Sequence, residues 1–110
     1  EQYADFKALE EQLKTLTTTE GKSYRLLKLP MPCAMYDNGE RLPATYANFV
    51  ILNSAVIVPT YNQPRNDKAA LNIIKAAFPD REIIGIDAST VVRQHGSLHC
   101  LTMQYPRGVI

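Results

Sequence analysis

A thiol and two imidazoles fall within six positions of one another in Gln94-His95-Gly96-Ser97-Leu98-His99-Cys100-Leu101-Thr102. A cysteine attacks carbon only as its thiolate, and a pKa near ~8.5 leaves little thiolate at neutral pH without an electropositive neighbour. The residues from Leu98 to Gln104 read as a short strand ahead of Pro106. Alternation along a strand sets Cys100 on the face of Leu98 and Thr102 and turns His99 to the other side. His99 is then a poor base for the thiol, although it is the neighbour in sequence. His95 is closer to feasible, because Gly96 lets the loop fold back. A plain solvated loop histidine is the blander reading of His95. Two further readings stand beside a nucleophile. Free cysteines are among the most buried residue types, so Cys100 would be a small core side chain. His95, His99 and Cys100 would otherwise be metal ligands, but consecutive strand residues diverge and zinc sites draw on separated ligand pairs. No metal and no cofactor are expected.

The elements that would position these residues follow from spacing. Phe6, Leu9, Leu13 and Leu16 recur at three- and four-residue steps, the stripe of a helix within residues 1–20. Lys7 with Glu11 and Glu10 with Lys14 are opposite charges four apart on its other side. Thr17-Thr18-Thr19 ends that helix, and Gly21 releases the chain into a strand from Tyr24 to Leu29. Pro30, Pro32 and Pro43 frame a long loop with an Asn38-Gly39 turn, and long ordered loops are enriched in functional ones. Strands from Ala47 to Leu52 and from Ala55 to Pro59 are separated by Asn53-Ser54, the two-residue spacing of a hairpin. Asn66 or Asp67 would cap a helix that buries Leu71, Ile74 and Phe78 and stops at Pro79. A β-branched strand runs from Glu82 to Ile86, and Ser89 to Arg93 is either a helical turn or a loop. The mixture is α/β or α+β, and no internal repeat is visible.

Composition excludes several classes of function. One domain's worth of chain, 110 residues with a net charge of +1, carries no electrostatic footprint for nucleic acid or an anionic membrane. The apolar run from Phe49 to Val58 is interrupted by Asn53 and Ser54 and is too short to span a bilayer. The opening Glu1-Gln2-Tyr3-Ala4-Asp5 is polar where a secretory signal would be basic and then apolar. Cys33 and Cys100 are too few for a disulfide framework, so free thiols in a cytoplasmic protein are expected. The chain does not begin with Met, so it is expected to be processed or to be part of something longer.

Four segments in register resemble one family. Arg41-Leu42-Pro43-Ala44-Thr45-Tyr46-Ala47-Asn48-Phe49 is similar to the Arg-Leu-Pro-Ala-Ser-Tyr-x-Asn-Phe segment of agmatine deiminases. Ala55-Val56-Ile57-Val58-Pro59 resembles that family in order and spacing. So does Phe78-Pro79-Asp80-Arg81-Glu82, with Gly85-Ile86-Asp87-Ala88 after it. Gly96-Ser97-Leu98-His99-Cys100-Leu101-Thr102 resembles Gly-Asn-Ile-His-Cys-Ile-Thr. The likeness runs from about Leu29 to Pro106 and extends to the bacterial, Porphyromonas-type peptidylarginine deiminases. Both groups are penteins, α/β propellers of strand-strand-helix-strand units, and the order from Ala47 to Ile86 fits one unit.

The resemblance implies a partial pentein, with residues 1–110 as the C-terminal portion of a deiminase catalytic domain. It implies Cys100 as nucleophile and Asn48 as an active-site residue near the substrate. His95, Gly96 and His99 would line the site, with no proton-transfer role for His99. The implied reaction takes agmatine and water to N-carbamoylputrescine and ammonia, a step toward putrescine, through a covalent thiouronium on the cysteine. Arginine in peptides as substrate, and a non-catalytic pentein-like binding module, are the alternatives. The family's general acid/base His and its carboxylates lie earlier in the chain and have no match here. Asp37, Asp67, Asp80 and Asp87 read instead as turn, cap and surface residues. The remainder of a parent polypeptide is therefore an expected partner, this portion alone is expected to be inactive, and a homo-oligomer is compatible with the reading. One departure stands out: Gln94-His95 occupies positions where the family has consecutive glycines.

Overall fold

The structure is a computed structural model that describes residues 2–110. Helix α1 spans Tyr3–Thr15, followed by strands β1 (Tyr36–Asp37), β2 (Glu40–Arg41), β3 (Val50–Ile51) and β4 (Ala55–Thr60). Helix α2 (Pro64–Ala77) and strand β5 (Glu82–Asp87) complete the regular elements, and two 3-10 turns, Val91–Gln94 and His99–Leu101, follow. The α/β class holds. β3 is antiparallel to β4, and β4 is parallel to β5 through the α2 crossover, giving the sheet order β3-β4-β5. That is one strand-strand-helix-strand unit.

β4 is the centre of this unit. Val56 and Val58 are fully buried on one face and Ala55 and Pro59 are buried on the other, as befits a strand covered on both faces. Ile74 of α2 seals one side, with Leu71, Phe78, Phe49 and Ile83 packed around it. A second cluster of Leu42, Tyr46, Tyr61, Ala70, Ala88 and Val92 lies beyond the end of β4, with Leu98 packed against it. The second cluster carries the loop that leads to Cys100.

α2 starts earlier than the Asn66/Asp67 spacing predicts. Pro64 opens it after Gln63, where a missing N–H costs nothing. Asp67 reaches back from inside the helix, its carboxylate accepting the N–H of Gln63 at 2.9 Å and of Tyr61 at 3.1 Å. This is the reciprocal half of a capping box, one residue further along. The Asn38-Gly39 turn forms as expected, with φ of 49° and 82°, between β1 and β2.

Three expectations fail. Tyr24 to Leu29 forms no strand among the described residues; the nearby pairing is a single bridge between Thr17 and Ser23. A β-rich run without a partner has no ladder to join. The strand expected from Ala47 to Leu52 shrinks to Val50–Ile51, because a turn occupies Tyr46 and Ala47. The strand expected from Leu98 to Gln104 is absent, replaced by the 3-10 turn His99–Leu101. On α1, Lys14 lies 3.6 Å from Glu10 as anticipated, while Lys7 sits 6.0 Å from the Tyr3 ring centroid rather than against Glu11.

Candidate active site

The turn that replaces the last strand is what exposes the thiol. Leu98 enters it at φ −61° and ψ −46°, so the N–H groups of His99 and Cys100 have no partner within the turn. Asn48, fifty-two residues from Cys100, supplies it. Its Oδ1 accepts the His99 N–H at 2.7 Å and the Cys100 N–H at 3.3 Å. Its Nδ2 donates to the Cys100 sulfur at 3.1 Å. One amide thus caps the turn with its oxygen and faces the thiol with its nitrogen. An aspartate could do only the first, having no donor.

Cys100 is exposed within this chain rather than packed in its core. Its acidity is raised: the Asn48 amide N–H first, then the backbone N–H groups of Ser97 and Cys100, hold the thiol below its ordinary pKa, partly offset by desolvation. Gly96 packs closely beside it: a Cβ there would lie 3.1 Å from Cys100 Cβ and 3.5 Å from the sulfur, so Cys100 would have to give by a few tenths of an ångström.

The two imidazoles do not converge on the thiol. His99 contributes its backbone, the carbonyl accepting Thr102 N–H at 3.0 Å and Thr102 Oγ1 at 2.8 Å, while its side chain is exposed. Because the segment is a turn, the argument from strand alternation no longer applies to it. His95 takes the left-handed conformation at φ 63°, the conformation glycine adopts at least cost, and its Nε2 lies 3.7 Å from Glu40 Oε2 on β2. Among the described residues, no three His, Cys, Asp or Glu side chains come together to hold a metal ion. No helix among the described residues is long and apolar enough to cross a membrane.

Two residues escaped the spacing analysis. Ser97 is fully buried, and its hydroxyl meets that of Tyr61 at 2.9 Å. Nothing local connects them, since they are thirty-six residues apart. Asp67, Asp80, Asp37 and Asp87 fall at a helix start, in turns and at strand ends, Asp87 accepting Ser89 Oγ at 2.6 Å and held below the usual carboxylate range by Ser89.

A family profile described as Porphyromonas-type peptidyl-arginine deiminase matches residues 1–106. A provisionally named agmatine deiminase of Marinomonas sp. (strain MWYL1) is 33% identical over 122 residues, which cover 96% of this chain and 33% of that protein. The crystal structure of a provisionally named arginine deiminase from Porphyromonas gingivalis superposes with a TM-score of 0.92 at 56% identity, over 98% of this chain and 32% of the other. A Cys-to-Ser variant of the C. jejuni agmatine deiminase with substrate bound superposes at 0.76 with 42% identity, over 90% and 28% of the two chains. The agmatine deiminase of Enterococcus faecalis gives 0.84 at 29% identity, over 96% and 33%. The chain spans about a third of the length of these relatives.

Proposed function

Because this chain belongs to the Porphyromonas-type peptidyl-arginine deiminase family, we propose that it is the nucleophile-bearing, C-terminal portion of a guanidine-modifying hydrolase, an agmatine deiminase in which Cys100 attacks the substrate. The observation that carries the proposal is the exposed Cys100 sulfur held 3.1 Å from the Asn48 amide nitrogen. The unit from β3 to β5 would be one blade of a pentein propeller completed by the rest of the parent polypeptide, a cytoplasmic protein in which the thiol stays reduced.

The chemistry follows from the groups present. A guanidinium is planar and cationic, and its arrival beside Cys100 favours the thiolate further. The sulfur forms a bond to the guanidinium carbon, and ammonia departs as that carbon regains planarity, leaving an S-linked thiouronium. Water then adds to the same carbon and the thiolate leaves, releasing the ureido product, N-carbamoylputrescine from agmatine. The proton donor and the carboxylates that grip the cation would come from the preceding part of the parent polypeptide. Asn48 keeps the sulfur aimed through both bond changes. His95 and Gly96 would border the approach to it, and His99 serves through its backbone.

Arginine in peptides is the second reading, supported by the description of the matching family and by the 56%-identical neighbour named for arginine. Assay of the full-length parent on agmatine and on an arginyl peptide separates the two. Ureido product from agmatine supports the first, and product from the peptide alone replaces it with the second. Cys100→Ala should abolish turnover of either. Undiminished turnover in that variant would remove Cys100 from the mechanism, and a wild type inert to every guanidine would leave a non-catalytic binding module.

A further inference from the structure

We infer that Tyr61 is a positioning residue for the nucleophile, its buried hydroxyl tying the segment that carries Asn48 to the loop that carries Cys100. The inference rests on the reading of Cys100 as nucleophile.

Tyr61 follows the last residue of β4 and is 2% exposed. Its backbone N–H is fixed by Asp67, and its ring packs edge-on against Tyr46 with centroids 5.5 Å apart. From this anchored base the hydroxyl meets three groups: the Thr45 carbonyl at 2.9 Å, the Thr45 N–H at 3.3 Å and the Ser97 hydroxyl at 2.9 Å. A phenol has one proton. Given to the Thr45 carbonyl, it leaves the phenol oxygen to accept from the Thr45 N–H and from Ser97.

Both sides of that junction lead to the thiol. The Thr45 carbonyl also accepts the Asn48 N–H at 3.4 Å, and Asn48 Nδ2 donates to the thiol. On the other side, Ser97 lies three residues before Cys100 in the same loop, next to Gly96, which packs against the Cys100 side chain. The segment that supplies the thiol's side-chain donor and the loop that carries the thiol therefore meet at one phenol oxygen. Ser97 Oγ has no other hydrogen-bond partner among the described residues. A phenylalanine at 61 would keep the ring and its contact with Tyr46 while removing only that oxygen.

The test uses the full-length parent protein. Alkylation of Cys100 is followed against pH by mass analysis of the tryptic peptide 94–107, alongside kcat and KM on the guanidine substrate. Tyr61→Phe should move the alkylation limb to higher pH and lower kcat by about tenfold, the scale on which small misplacements act. KM should stay within about twofold, since ground-state binding is untouched. Ser97→Ala should do the same, and the double variant should be no worse than Tyr61→Phe alone. If Tyr61→Phe does not fold, the Ser97→Ala limb and kcat decide. A lower melting temperature with an unmoved limb and unchanged kcat would reduce Tyr61 to a structural residue and overturn the inference. A wild type without guanidine turnover whose limb still moves in Tyr61→Phe would support the tie while overturning the catalytic reading.

Discussion

At the scale of single residues, a thiolate needs donors facing its charge, and at Cys100 the Asn48 amide nitrogen stands 3.1 Å from the sulfur. Asn48 is the largest influence on the thiol's acidity, and it also caps the turn that aims the sulfur. The sign of its effect is testable. Removing the amide N–H with Asn48→Ala should return the thiol toward its ordinary value near ~8.5, so that alkylation of Cys100 at pH 7 slows several-fold and its pH limb moves up. Asn48→Asp should move it further, because an acceptor with negative charge would then face the thiolate. The expected order of limbs is wild type, Ala, Asp from low pH to high. A limb unmoved in both variants would exclude Asn48 from thiol activation. Gly96 gives a second prediction from space alone. In Gly96→Ala the new Cβ would press on Cys100 Cβ at 3.1 Å, so Cys100 and the turn that carries it must give by a few tenths of an ångström. Turnover should fall by about tenfold or more while thermal stability changes little; unaltered kcat would show that the thiol has slack.

Whole elements are held in place by groups that act at a distance along the chain. Asp67 is the clearest case. One carboxylate takes the Tyr46 hydroxyl at 2.6 Å and the N–H groups of Tyr61 and Gln63, so it joins α2, the end of β4 and the segment before β3. Tyr46 is fully buried, and its hydroxyl is pushed well above its usual pKa, by burial first and then by Asp67. Asp67→Ala would leave that donor unpaired, at a cost of about 3 kcal/mol. Thermal unfolding of the parent protein should register a clear drop in melting temperature, and an unchanged one would show that other groups satisfy these donors. The same distinction between local and distant control explains what the sequence discloses. β4, α2 and β5 are legible because Val56 and Val58, or Leu71, Ile74 and Phe78, carry their periodicity within a few residues. The turn at Asn38-Gly39 is legible for the same reason. Leu98, Cys100 and Thr102 alternate like a strand, yet they form a turn because Asn48 caps it from fifty-two residues away. Tyr24 to Leu29 has strand chemistry and no neighbour to pair with. Cys100 and Asn48 were reached through family resemblance, whereas the Tyr61–Ser97 contact has no local signature at all.

Over the whole molecule, the described chain has more apolar surface than its own core can cover. Its radius of gyration is 15.7 Å, against roughly 13 Å for a compact domain of this length. α1 buries none of its residues: Phe6, Leu9 and Leu13 are exposed, as is Leu16 just after it. The outer strand β5 exposes Ile84 and Ile86, and the tail beyond Cys100 exposes Leu101, Met103 and Tyr105. Exposed patches of this kind belong to an interface. In relatives about three times as long, the remaining chain is available to cover them. With a net charge of only +1, little electrostatic repulsion opposes association of the uncovered faces. The isolated 110-residue chain should therefore bind a hydrophobic dye strongly and elute above monomer size at micromolar concentration. It should also show no turnover of agmatine, while the full-length protein binds little dye and is active. Scattering-detected size exclusion with dye titration on both proteins distinguishes the outcomes. A monodisperse, dye-silent monomer would mean that these faces are not an interior laid open, and turnover by that monomer would mean that the acid, the base and the grip on the cation all reside within this third of the protein.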